Sequence, residues 1–257
     1  MRAPPRFDRP RATIDDVIRD LTALVEWSYE SESRHGYFAR VYLAVTREIG
    51  RAVEAGEFVD PDLVARLDVV FAGRYLDAVD AHYLGRPHSR AWRLALETDQ
   101  RHALMVLQHV LLGINAHINL DLGIASATVA PGPAIERLRV DFDRVNEILG
   151  RLVDRVEGAI GRSAPLLALA DRLAGGLDER MILFSVKAAR RSAWECAREL
   201  AATPPELQAD RIADLDDVVV GFAELVAGNQ LTRFLASPLT HLERRRPREV
   251  LDLLGDL

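Results

Sequence analysis

The chain has little cysteine, little lysine and few aromatic residues, and each shortage excludes something. Cys196 is the single cysteine among 257 residues, so neither an intrachain disulfide nor a cysteine-built metal cluster can form. It reads instead as a small buried hydrophobe on a helix. Lys187 is the single lysine, and arginine carries the remaining positive charge. With abundant alanine, leucine, valine and aspartate, that bias points to a high-GC genome of the actinobacterial kind. The net charge of −6 argues against a general nucleic-acid binder. The one basic run, HLERRRPRE with Arg244, Arg245, Arg246 and Arg248, reads as a solvated helix end. There is no glycine-rich phosphate loop, no G-x-S-x-G elbow, no H-E-x-x-H and no dinucleotide fingerprint. The opening MRAPPRFDRPRAT lacks the apolar stretch of a secretion signal. No apolar run reaches the ~18–20 residues of a membrane span without a charge. A cytoplasmic protein with no stable membrane insertion is expected.

Helical periodicity runs almost throughout, and no strand pattern persists. Residues 1–12 read as a flexible leader. Thr13 with Asp16 forms a capping-box pattern opening a helix to about Glu32, and a second helix is predicted from Gly36 to Ala55. Asp60-Pro61 supplies an N-cap and a first-turn proline for a third, 62–84. After the Gly85-Arg86-Pro87 break, one long helix is predicted from Ser89 to Gly123. Further helices are predicted over 134–160, 164–173, 178–202, 206–236 (with a joint at Asp214–Asp217) and 247–254. The fold class is all-α: a single domain, 13–257, bundled around a central buried helix.

That central helix carries the chemistry. From Ala103 on it is apolar on nearly every side, yet it holds His109, Asn115, His117, Asn119 and Asp121 within thirteen residues. An all-apolar helix is buried, and burying such groups costs several kcal/mol unless each finds a partner or ligand. On a wheel of about 100° per residue, His102, His109, Gly113, His117 and Asp121 trace one drifting stripe. Asn115, Asn119 and Gln108 fall on another face. His117 and Asp121, four residues apart, can meet and have the spacing of two ligands on one metal. Gly113 removes a side chain where a neighbouring helix or a ligand could approach. Further ligands would come from other helices, with Asp77, Asp80, His82, Glu97 and His241 as candidates. In ARRSAWECAREL (189–200), Arg191 and Trp194 share a face and could clamp an anion or stack on a flat ring. Asp143 and Asn146 could meet the buried histidines or this arginine helix, whereas Asp141 reads as solvated.

The motif GINAHINLDLGIA (113–125) resembles the core of the DUF5995 family, mainly actinobacterial proteins of unknown function. The likeness extends to FARVYLAVT (38–46), LDVVFAGRYLDAV (67–79), DRVNEIL (143–149) and ARRSAWECARELA (189–201). It implies one helical domain and focuses attention on Asn115, His117, Asn119 and Asp121, without implying a substrate. Gly123 stands where many relatives are expected to have proline, so the helix could end differently here.

The leading expectation is a small-molecule enzyme with a buried site, with His109, His117 and Asp121 as catalytic residues and ligands of zinc or iron. Such a metal would acidify a bound water for hydrolytic or oxidative chemistry. Asn115, Asn119, Arg191 and Trp194 would hold a small apolar or lipid-like substrate. A metal-free cyclase or isomerase using His117 and Asp121 as a proton-transfer pair is the alternative. A non-enzymatic bundle, locked together by its asparagines and histidines, is the third reading. No nucleic-acid partner is expected, and a homo-oligomer is left open.

Overall fold

A computed structural model of the protein describes residues 4–97, 104–149, 178–227 and 246–256, and every regular element among these is helical. The expected caps form. Asp16 N donates to Thr13 Oγ1 at 3.2 Å while Thr13 N donates to Asp16 Oδ2 at 3.1 Å, opening α1 (Ile14–Ser31). α2 spans His35–Glu54. Asp60 Oδ1 accepts from Leu63 N at 3.1 Å and Pro61 begins α3 (Pro61–Tyr83). Asp141, expected in solvent, is buried instead. Its two oxygens accept from Val59 N and Asp60 N, both at 2.8 Å, and so fix the turn that enters α3.

The predicted long helix is not one rod. α4 (Arg90–Glu97) is followed, beyond 98–103, by a bend at Leu104 and an extended Met105, where α5 (Val106–Ile114) starts. The bend carries its own cap, because Gln108 Oε1 accepts from Met105 N at 3.0 Å. From Asn115 to Asp121 the backbone widens into a π-helix, with Leu122 N donating to His117 O five residues back. α6 (Leu122–Val129) then carries the rod six residues past its predicted end at Gly123. A 3-10 helix (Gly132–Leu138) leads into α7, residues 139–149. α8 (Asp178–Ala202), α9 (Pro205–Ala227) and α10 (Pro247–Leu253) complete the described chain. α9 runs through 214–217 without the expected joint. There Asp216 caps α4 from a distance, accepting from Arg90 N at 2.6 Å and Ala91 N at 2.9 Å. The predicted helix 164–173 lies outside the described residues, as do His102 and His241.

Residues 4–12, expected as a flexible leader, lie against the bundle. Phe7 is buried in the main core, and Arg11 is in contact with Asp77 and donates to the Phe7 carbonyl. That core joins α1, α2, α3, α4, the π-helix, α6, α8 and α9 through Leu21, Tyr42, Leu76, Trp92, Leu120, Ala197 and Val219. By length and composition Val106–Val129 could cross a membrane, yet 78% of its most apolar window is buried by the neighbouring helices.

Two glycines set the closest helix approaches. A Cβ on Gly113 would stand 2.4 Å from Phe38 Cγ, so the Phe38 ring of α2 lies flush on the α5 backbone. A Cβ on Gly123 would stand 2.7 Å from Cys196 Sγ and 3.1 Å from the Ala193 carbonyl, where α8 crosses α6. Gly113 therefore admits a neighbouring helix. Gly113→Ala should destabilise the fold by about 1–3 kcal/mol, because the Phe38 ring is held on all sides and cannot retreat freely. Denaturant unfolding with an unchanged m-value would show it.

Candidate functional site

Three stripes converge on the π-helix. α2 contributes Phe38, Tyr42 and Thr46 at four-residue spacing, and α3 contributes Asp68, Phe71 and Tyr75 along one face. The π-helix contributes His117 and Asp121. The His117 ring stacks on Phe71 with centroids 3.6 Å apart and planes 7° apart. Tyr42 meets it edge-to-face at 4.4 Å, Phe38 at 5.6 Å, and Trp92 and Tyr75 close the box at 6.0 and 6.1 Å.

Inside this box His117 is 2% exposed, and among the described residues neither ring nitrogen has a well-formed hydrogen bond. Its Nδ1 stands 3.6 Å from Asp121 Oδ2, close enough to feel the charge and too far for a direct bond. Burial pushes the imidazole below its ordinary value and Asp121 only partly offsets this, so the ring is neutral near pH 7. Asp121, by contrast, is fully engaged. Arg74 Nε donates to Oδ1 and Trp92 Nε1 to Oδ2, each at 2.7 Å. Arg74 is one-third exposed and links this buried carboxylate to the surface.

The other expected site residues go elsewhere. His109 packs edge-on against Tyr37 at 5.8 Å, in a second apolar cluster with Val106, Val110 and Leu251, and does not join His117. Asn115 Nδ2 donates to Val219 O at 2.9 Å and Asn119 Nδ2 to Asn115 Oδ1 at 2.8 Å. The asparagines are thus committed to α9 and to each other rather than to a substrate. Arg191 is exposed, and Trp194 is buried against Phe142 at 5.0 Å with Arg139 above its ring. The arginine that turns inward is Arg190. It donates to the Phe142 carbonyl at 2.8 Å, meets Asn146, and is lowered to about 10 by burial. Asn146 therefore does reach the arginine helix, as its spacing allowed.

Among the described residues, no three His, Cys, Asp or Glu side chains come together as metal ligands. Asp77 is in contact with Arg11, Asp80 pairs with Arg6, and Glu97 is exposed. His82 packs against His35, Tyr83 and His88. The expected trio of His109, His117 and Asp121 is not a first coordination shell, because His109 and His117 face different clusters.

The match to known proteins agrees with this geometry in extent. The model of the family described as "Family of unknown function (DUF5995)" matches residues 14–228. The chain belongs to the DUF5995 family. No curated protein and no solved structure matches it. The matched span of DUF5995 contains all three stripes of the His117 box.

Asp68 was missed in the sequence, although a carboxylate on the buried face of α3 is the same kind of signal that singled out His117. It is 7% exposed, its Oδ2 has no partner among the described residues, and burial raises its carboxyl to about 7. The folded value lies above the unfolded 3.8, so Asp68 is stabilising when protonated and its contribution is lost as pH rises from about 4 to 7. Tyr42 is a titratable group that feels its charge. Asp68→Asn should therefore stabilise the protein above pH 7 by a few kcal/mol, following ~1.4 kcal/mol per unit. The gain over wild type should shrink to nothing near pH 4, as measured by denaturant unfolding at a series of pH values.

Proposed function

We propose that the protein is a small-molecule enzyme in which the neutral His117 imidazole moves a proton, with Asp121 as its electrostatic partner. No metal takes part in this reading. The observation that carries it is the His117 ring itself, buried among aromatic rings with neither nitrogen in a well-formed hydrogen bond among the described residues. An unpaired buried polar group costs about 1–3 kcal/mol, and an apolar residue of the same shape would hold the helices better. A histidine kept only to lock the bundle would have its nitrogens bonded, as the asparagines have theirs. A widened helical turn at the same residues fits a functional segment.

The chemistry follows from the surroundings. A neutral imidazole with an unpaired nitrogen can accept a proton from carbon and return it. Asp121, fixed by Arg74 and Trp92, favours the imidazolium formed in passing and holds its position while doing so. The rings of Phe38, Tyr42, Phe71, Tyr75 and Trp92 packed around His117 favour an apolar or lipid-like molecule as the one that reaches it, and an isomerase or cyclase reaction needs nothing beyond this proton traffic. Metal-assisted hydrolysis or oxidation draws no comparable support, because the described residues offer His117 no second and third ligand.

Wild-type protein incubated in heavy water with an extract of apolar metabolites from the source cells should place deuterium in at least one compound, read by mass spectrometry. His117→Gln should lower that incorporation by about a hundredfold or more. No His117-dependent incorporation into any compound would overturn the proposal.

A further inference from the structure

Five buried side-chain atoms with no hydrogen-bond partner among the described residues lie on the elements that meet at the Tyr42 ring. They are its own Oη, Thr46 Oγ1, Asp68 Oδ2 and both nitrogens of His117. His117 is in edge-to-face contact with Tyr42 at 4.4 Å. Thr46 stands one turn along α2 beside the Tyr42 hydroxyl, and Asp68 lies on the face of α3 whose Phe71 and Tyr75 rings meet Tyr42 at 5.9 and 6.2 Å. Buried polar groups are almost always bonded, so a cluster of orphans marks a place where something else supplies the partners.

We propose that Tyr42 and Asp68 form a pair of hydrogen-bond donors that receives the carbonyl oxygen of an apolar substrate beside the His117 imidazole. This rests on the proton-transfer reading above and names its substrate class as an apolar ketone or a related carbonyl compound. Among the described residues, no cation and no N–H donor meets Asp68 Oδ2. Its carboxyl is therefore favoured in the neutral form, which carries an O–H. The Tyr42 hydroxyl is likewise held protonated, first by burial and then by the nearby Asp68. Two neutral O–H donors next to a neutral base are what proton abstraction beside a carbonyl requires. An unpaired His117 nitrogen takes the proton from the carbon next to the carbonyl, and the C–H electron pair moves through the C–C bond onto oxygen. That oxygen, now carrying the negative charge, accepts from Tyr42 and Asp68. In a ketone with a C=C bond one carbon beyond the deprotonated carbon, return of the same proton to the far end of the conjugated enolate restores the carbonyl and leaves a double-bond isomer, with no oxidant or reductant consumed.

4-Nitrophenol is a suitable probe, because its oxygen is an enolate-like acceptor and its absorbance reports its protonation. Titration into wild-type protein should show saturable binding with a shifted phenol–phenolate balance. Tyr42→Phe and Asp68→Leu should each weaken binding about tenfold or more, whereas Asp68→Asn, which keeps N–H donors, should hold most of it. Circular dichroism checks that each variant folds, and if Asp68→Leu does not, Tyr42→Phe alone decides. Absence of wild-type binding, or variants that bind as wild type does, would overturn the donor pair. Binding that depends on Tyr42 and Asp68 without His117-dependent deuterium incorporation sustains the pair and removes the proton-transfer reading. Incorporation that needs His117 but is unchanged in Tyr42→Phe does the reverse.

Discussion

The Asp121 carboxylate holds the centre of this molecule together. It is almost completely excluded from water, yet Arg74 on α3 and Trp92 on α4 each give it a hydrogen bond of 2.7 Å. A buried charge removed from one partner costs several kcal/mol, so both donors are tied to their places as firmly as the acceptor is. Arg74 fixes the rotation of α3, and with it the direction in which Phe71 and Tyr75 face. Trp92 fixes α4 against the π-helix and supplies one wall of the box around His117. The aromatic cluster would pack in several ways by hydrophobic burial alone. The carboxylate selects one of them.

On the opposite face of the same rod the amides do a complementary job. Gln108 Nε2 donates to Val226 O at 2.8 Å and Asn115 Nδ2 to Val219 O at 2.9 Å, both on α9. Neutral amides meeting carbonyl groups that have spare acceptor capacity can be buried at little cost. The rod is thus divided between a face of amides that join it to a neighbour and a face of His117 and Asp121 turned toward α2 and α3. The π-helical turn lies between these duties. It keeps Asn115 with the half-buried Asn119 and the buried His117 with Asp121, and Gly113 and Gly123 on either side let α2 and α8 close over it.

Much of this was legible in the sequence where the governing contacts are local. Thr13, Asp60 and Pro61 opened their helices as capping chemistry dictates, and the helical wheel separated the histidine face from the asparagine face. What escaped depends on partners far along the chain. The break at Leu104–Met105 and the wider turn at 115–121 leave the hydrophobic period almost unchanged, so no pattern betrays them. The capping roles of Asp141 and Asp216 involve backbone groups 82 and 126 residues away. Arg190 turns inward and Arg191 outward, although neighbouring arginines look alike on paper and only the approach of α7 distinguishes them. His109 shares the stripe of His117, but two turns of separation place it in a different cluster.

Two carboxyl groups flank the same aromatic box, and their surroundings could hardly differ more. Asp121 has a guanidinium and an indole N–H directed at it, whereas Asp68 Oδ2 meets no donor among the described residues and the carboxyl is pushed up to about 7 by burial. One environment holds a negative charge in place and the other favours keeping a proton. Environments that separate two like groups in this way are how a fold provides an acid and a base at one pH. His117 lies against that same box, neutral because it is dry, and touches the ring of Tyr42 that Asp68 approaches. A bundle selected only for stability has no reason to keep a protonatable carboxyl, a phenol and an imidazole unpaired within one apolar core. Their presence together in one core is the observation on which the proposed reaction rests.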